Sequence, residues 1–196
     1  MPVETNLPDE LKESATMLEE RYQMLRVPTR KIPAAEWAAL PADVRKLVPA
    51  WIPLLLESCR LAGGVLETFG VGDCSVWPFA LFEPNDYLAE LAGKDMPFAE
   101  LPSFGFIPIA TDTKGNVWVT KMADGPTGEI YLLDRSGTLG RFRWAGGEPT
   151  KRNGLVFASS RLALLFACMA VSEVSFHEMS GTVSVLWNKE KQTSPS

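Results

Sequence analysis

Histidine and cysteine are scarce in this sequence: 196 residues include one histidine, His177, and three cysteines, Cys59, Cys74 and Cys168. A single imidazole excludes a multi-histidine metal site within one chain. An odd number of cysteines with no C-x-x-C spacing argues against a disulfide framework or a thiolate zinc site. Basic residues are outnumbered, 19 Lys and Arg against 24 Asp and Glu, for a net charge of −5. The concentrated basic face that phosphate recognition needs is therefore not expected, and direct nucleic-acid binding is disfavoured. No apolar run approaches the roughly 18 residues that span a bilayer. The opening Met1-Pro-Val-Glu-Thr-Asn-Leu-Pro-Asp-Glu lacks the basic and apolar regions of a signal peptide. A cytoplasmic protein without a membrane association is the expectation.

What remains is ordinary globular composition, 46% hydrophobic and 22% charged, enough to bury one core. One domain is expected over residues 1–187, followed by a polar tail at 188–196 that should fray. Leu7, Leu11, Ala15, Leu18, Tyr22 and Leu25 recur at helical spacing, with Glu10, Glu13, Glu19 and Glu20 between them, which predicts an accessory helix over about 7–26 with Pro8 in its first turn. Val27 to Pro33 carries two prolines and reads as a linker. A second helical block begins near Leu40-Pro41 and is broken by Pro49 and Pro53, with Gly63-Gly64 as its stop. Residues 67–78 read as loop and short strand, and Asp86 to Leu91 as a short helical turn.

From Phe104 the period falls towards two. Phe104 to Ala110, Asn116 to Lys121 and Glu129 to Asp134 are predicted strands, joined by Asp112-Thr-Lys-Gly115-Asn116 and Asp124-Gly-Pro-Thr-Gly128. Short connections between consecutive strands imply an antiparallel meander. Arg141 to Trp144 and Thr182 to Trp187 are further strand candidates. Ser159 or Ser160 is the expected N-cap of a helix to about Val171, with Leu162, Leu165, Phe166 and Met169 as its buried stripe. Helices lead, a sheet follows and a helix closes, so the class is α+β.

No segment carries a convincing catalytic or cofactor motif. His177 has only Glu178 beside it and no nucleophile motif nearby. Asp112, Gly115 and Asn116 lack the alternating oxygens and distal Glu of a calcium loop. The Gly63-Gly64 and Gly70-Val-Gly72 pairs lack the Walker spacing, and nothing next to Cys74 in sequence would activate its thiol. Arg141, Arg143, Lys151 and Arg152 form a basic group interleaved with Phe142 and Trp144, read as a solvated or interface loop. Trp51 and Trp118 read as core, whereas Trp77 and Trp144, in loop-like contexts, are candidate interface anchors. Glu67, Asp73, Glu83 and Asp86, in the loop-rich middle of the chain, complete the candidate protein-binding set. No catalytic residue, metal ligand or cofactor is assigned.

The order of a Leu40-Pro41 helix ending in Gly63-Gly64, Phe106-Ile107-Pro108-Ile109 before an Asp/Gly turn, a strand with Tyr131 and Asp134, and Ala158-Ser159-Ser160 before an apolar helix resembles the SMI1/KNR4 family of the SUKH superfamily. The resemblance covers about residues 33–171. The Phe-Ile-Pro-Ile strand is its most specific part, and the basic stretch 138–153 is longer than the family pattern. The resemblance implies an α+β domain whose sheet is mainly antiparallel, with N-terminal helices and a closing C-terminal helix, and no catalytic constellation. It implies an immunity protein that neutralises a toxin domain, of nuclease or deaminase type, by direct binding. Acidic side chains opposing a basic toxin surface would supply the charge complementarity. The alternative it implies is a cytoplasmic regulatory or scaffold adaptor for endogenous proteins.

Overall fold

The computed structural model describes residues 6–65, 69–71, 74–76, 79–92, 98–112, 115–137 and 142–171. His177, the 182–187 strand candidate and the tail lie outside them. No helix among the described residues is long and apolar enough to cross a membrane.

Helix α1, Asp9–Met24, buries Leu11, Ala15, Leu18 and Tyr22 along one face, with Asp9 and Glu10 in its first turn, where the helix dipole favours acid. Pro8 stands just before that turn, and its carbonyl accepts the Leu11 and Lys12 amides at 3.1 Å. Residues 27–33 carry no helix, as their two prolines suggest, and a short helix follows them: α2, Ala34–Ala38, begins after Pro33 and is anchored by buried Trp37. Helices α3, Ala42–Leu47, and α4, Trp51–Ser58, are separated around Pro49. Pro53 is the third residue of α4, where no intrahelical acceptor exists for an amide, so the helix tolerates it.

Gly63-Gly64 is not the helix stop, because α4 has already ended at Ser58. Its glycines serve a close approach instead. A Cβ on Gly64 would lie 2.7 Å from the Tyr22 ring, so the glycine lets the α4 connection press against α1.

The sheet begins with a separate hairpin of β1, Phe69–Val71, and β2, Cys74–Val76. Among the described residues the main sheet has five strands in the order β3 (Phe79–Leu81), β4 (Phe106–Asp112), β5 (Val117–Lys121), β6 (Ile130–Leu133) and β7 (Leu155–Ser159), each antiparallel to its neighbour. Helix α5, Pro84–Leu91, and a 3-10 turn, Leu101–Phe104, lie between β3 and β4. The α+β class and the meander of β4 to β6 agree with the sequence pattern. Strand β7 was not expected, and the described residues 142–144 form no strand.

Pro108 explains an irregularity in β4. The register with β5 shifts between Pro108 and Ala110, a bulge that accommodates a residue without a backbone donor. The Pro108 carbonyl accepts a hydrogen bond from the Tyr87 hydroxyl at 2.9 Å, which ties α5 to the bulge. Tyr87 is fully buried, and burial pushes its phenol far above the ordinary value. A satisfied buried hydroxyl of this kind contributes about 1 kcal/mol.

Helix α6, Leu162–Val171, follows β7 after two residues. Its expected stripe of Leu162, Leu165, Phe166 and Met169 is buried, and so are Ala163, Leu164, Cys168 and Ala170, so this is a core helix apolar around its circumference. The Arg161 carbonyl accepts the Leu165 amide at 3.3 Å, which places the cap position at Arg161, not at a serine. Ser159 ends β7, and its hydroxyl donates to the Arg161 carbonyl at 2.9 Å. Arg161 pairs with Glu10 at 2.8 Å, joining the starts of α6 and α1.

Candidate functional site

Three of the six proposed binding residues, Glu67, Asp73 and Trp77, lie outside the described residues. The other three divide into two groups. Glu83 and Asp86 sit at the start of α5, where the Asp86 carboxylate accepts the Glu83 amide at 2.8 Å as one half of a capping box. Glu83 also pairs with Arg30 at 2.6 Å, and Arg30 reaches Glu36 at the same distance. Hydrogen bonds to Glu36 and then Glu83 raise the Arg30 guanidinium above its ordinary value, and the Arg30 hydrogen bond lowers the Glu36 carboxyl. These carboxylates have local work as caps and partners, in a solvated cluster of small energetic weight.

Trp144 is a correction. It is 3% exposed, stacked on Phe98 with ring centroids 5.8 Å apart, and its indole N–H donates to the Gly147 carbonyl at 3.2 Å. An aromatic in an irregular segment suggests a surface anchor, whereas here it is the plug that fixes the segment. Trp51 and Trp118 are buried, as their spacing suggests.

Asp112 and Asp134 belong to a buried polar chain that crosses the end of the sheet. Asp112 accepts the Asn116 amide and its side-chain N–H, both at 2.9 Å. The Asn116 side-chain oxygen accepts the Ser136 amide at 2.9 Å. Asp134 then accepts the Ser136 hydroxyl at 3.1 Å and the Gly137 amide at 2.7 Å. These bonds shape the two turns and leave the chain's role structural.

Glu90 of α5 is different. Its Oε2 is buried without a hydrogen-bond partner among the described residues, and burial raises the carboxyl, against the opposing charge of Arg135 and with a smaller push from Asp86. A carboxyl raised by folding is protonated more readily in the folded chain. Its contribution is therefore intact at low pH and is lost as pH rises through the ordinary carboxylate range, where the unfolded chain ionises first. Glu90→Gln is expected to be more stable than the parent at neutral pH and equal to it below that range. Urea titrations at both pH values check this.

The feature with the character of a binding surface lies on the sheet. Side chains alternate between faces, and on one face Ile107, Trp118, Thr120, Ile130 and Leu132 are all buried. On the other face Val117, Val119, Leu133 and Phe106 are buried, whereas Tyr131 is half-buried and Phe157 exposed. There Phe106, Tyr131 and Phe157 form an edge-to-face row across the strands, each neighbouring pair 6.1 Å apart. Phe157 is 48% exposed. Lys121 lies 5.8 Å from the Tyr131 ring centre, and the Tyr131 hydroxyl is hydrogen-bonded to Glu129. Burial, then Glu129, pushes the Tyr131 phenol up to about 12, so at neutral pH it is a neutral donor. Rigid aromatics flanked by one cation and one carboxylate suit contact with another protein surface.

Sequence pattern does not single out this row, because 155–159 carries no strand signal of its own. The signal lies in the pairing: once β7 pairs with β6, Phe157 falls opposite Tyr131. No family model, curated protein or solved structure matches this chain.

Proposed function

We propose that this chain is a non-catalytic protein-binding domain that docks a partner on the aromatic row of its sheet. Within that class we infer a cytoplasmic immunity protein of SMI1/KNR4 (SUKH) type, holding a toxin domain by direct contact. The observation that carries the binding reading is Phe157, a phenylalanine half-exposed in a regular strand and braced edge-on by Tyr131. Such a side chain loses little conformational freedom on docking, which is how an aromatic anchor gains its weight at interfaces. The immunity role rests on the family resemblance of residues 33–171.

The test is co-expression with the products of neighbouring genes, scoring protection from toxicity and co-purification. The parent is expected to protect and to form a stoichiometric complex. Phe157→Asp is expected to weaken that complex at least about thirtyfold, the effect of an anchor worth 2 kcal/mol or more, while its melting temperature stays near that of the parent. If Phe157→Asp binds as tightly as the parent, the aromatic row is not the docking surface. If no neighbouring product is toxic and the chain instead binds an endogenous protein through Phe157, the adaptor reading replaces the immunity reading.

A further inference from the structure

We propose that the outer face of α1 is a second docking surface, and that its occupant is a basic amphipathic helix of another protein. Helix α1 has two stripes. Leu11, Ala15, Leu18 and Tyr22 are spaced by four, three and four residues and are buried. Glu13, Met17, Glu20 and Met24 repeat the same spacing two residues later, which at 3.6 residues per turn turns them about 200° away from the first stripe. They share a sector about 60° wide, facing outward.

The outer stripe is exposed and apolar where it need not be. Met24 is 73% exposed and Met17 43%. Methionine adapts its shape to an incoming side chain at little cost, which makes it common on surfaces that accept helices. The carboxylates sort in a way that fits this face. Asp9 pairs with Lys12 and Glu10 with Arg161, and Glu19 accepts the Arg60 amide at 3.0 Å. Glu13 and Glu20, the two glutamates of the methionine stripe, have no partner among the described residues.

The helix is also held still. Its inner face is buried in the core, Tyr22 lies under Gly64, and Glu10 and Glu19 are tied to Arg161 and Arg60. A rigid face with two apolar knobs and two exposed carboxylates, alternating at helical spacing, complements a helix with apolar residues on one side and Lys or Arg along its flanks. A second copy of this chain would set glutamate against glutamate, so self-association through this face is disfavoured. The proposal is independent of the sheet-face reading.

The test uses the full chain and a synthetic peptide of about 18 residues, long enough to be helical, with leucine on one face and lysine on its flanks. A second peptide with glutamate replacing lysine is the control. Methionine methyl NMR and fluorescence anisotropy report binding. The lysine peptide is expected to shift the Met17 and Met24 methyl signals and to bind at least tenfold more tightly than the control. Glu13→Lys with Glu20→Lys is expected to weaken it at least tenfold, as is Met17→Gln with Met24→Gln, both at unchanged melting temperature. Phe157→Asp should leave it unaffected. Equal binding of the two peptides, unmoved Met17 and Met24 signals, affinity unaltered by the charge reversals, or a dimer formed through α1 would each overturn the proposal.

Discussion

Gly154→Ala is expected to destabilise the fold by about 3 kcal/mol and to lower the melting temperature by about 10 °C. Gly154 has φ of +71°, a region that costs a residue with a Cβ about 1–2 kcal/mol. The larger effect is steric. A Cβ there would stand 2.3 Å from the Trp144 amide nitrogen and 2.8 Å from its Cα. That backbone cannot retreat freely, because the Trp144 amide donates to the Asp134 carbonyl at 2.7 Å while the Asp134 amide donates to the Gly154 carbonyl at 2.9 Å. Three strands of chain thus cross in one knot, with Trp144 stacked on Phe98 above it. Gly105→Ala and Gly115→Ala are the controls: both glycines have positive φ, of +79° and +76°, but nothing lies within 4 Å of an added Cβ. They should cost about 1 kcal/mol each. Thermal melts of the three variants give the answer, and equal losses would show that Trp144 does not pack over Gly154.

That knot also marks where pattern reading stops. Helix α1 is legible because its apolar residues repeat at helical spacing, and strands β4 to β6 because runs of β-branched and aromatic residues are bounded by Asp/Gly turns. Helix α6 is legible for another reason, its unbroken apolar run. Helix α2 is five residues long, too short for a repeat, and its one buried anchor is Trp37. Strand β7 hides because its short apolar run leads into that of α6 with only Ser160 and Arg161 between them, and a second bulge against β6 disturbs its register. The residues 142–154 have no periodicity, since their conformation is set by side-chain bonds: Asn153 donates to the Gly146 and Glu148 carbonyls at 2.9 Å, and Glu100 accepts the Gly147 amide at 2.6 Å. Partners 47 residues apart leave no local signature.

The same limit explains the candidate site. Acidic residues in a loop-rich stretch look available when only the sequence is in view. Asp86 instead closes the start of α5, and Glu83 answers Arg30 from 53 residues away. The aromatic row needs four strands, β4 to β7, in register before it exists as a surface. Its members, Phe106, Tyr131 and Phe157, each look like an unremarkable strand residue when taken alone.

Asp134→Ala is expected to cost about 3 kcal/mol. Asp134 is fully buried, and its carboxylate accepts the Gly137 amide and the Ser136 hydroxyl. Deleting it leaves two donors without that acceptor, on a half-buried Ser136 and an exposed Gly137, at up to about 1–3 kcal/mol for a donor left unsatisfied and less where water replaces the acceptor. Asp134→Asn keeps an acceptor oxygen in place and should cost about 1 kcal/mol, within the usual range for losing the charge on such a bond. Ser136 is held from both sides, since Asn116 accepts its amide. The Asp134→Ala and Asn116→Ala losses should therefore not add. Once either anchor is gone the turn is free to shift, and the second removal should cost less by at least about 0.5 kcal/mol in a double-mutant cycle. Amide exchange at Ser136 and Gly137 should accelerate in both single variants. Additive losses, with exchange at Ser136 unaltered in Asp134→Ala, would show that the two turns are braced separately and that no polar chain links them.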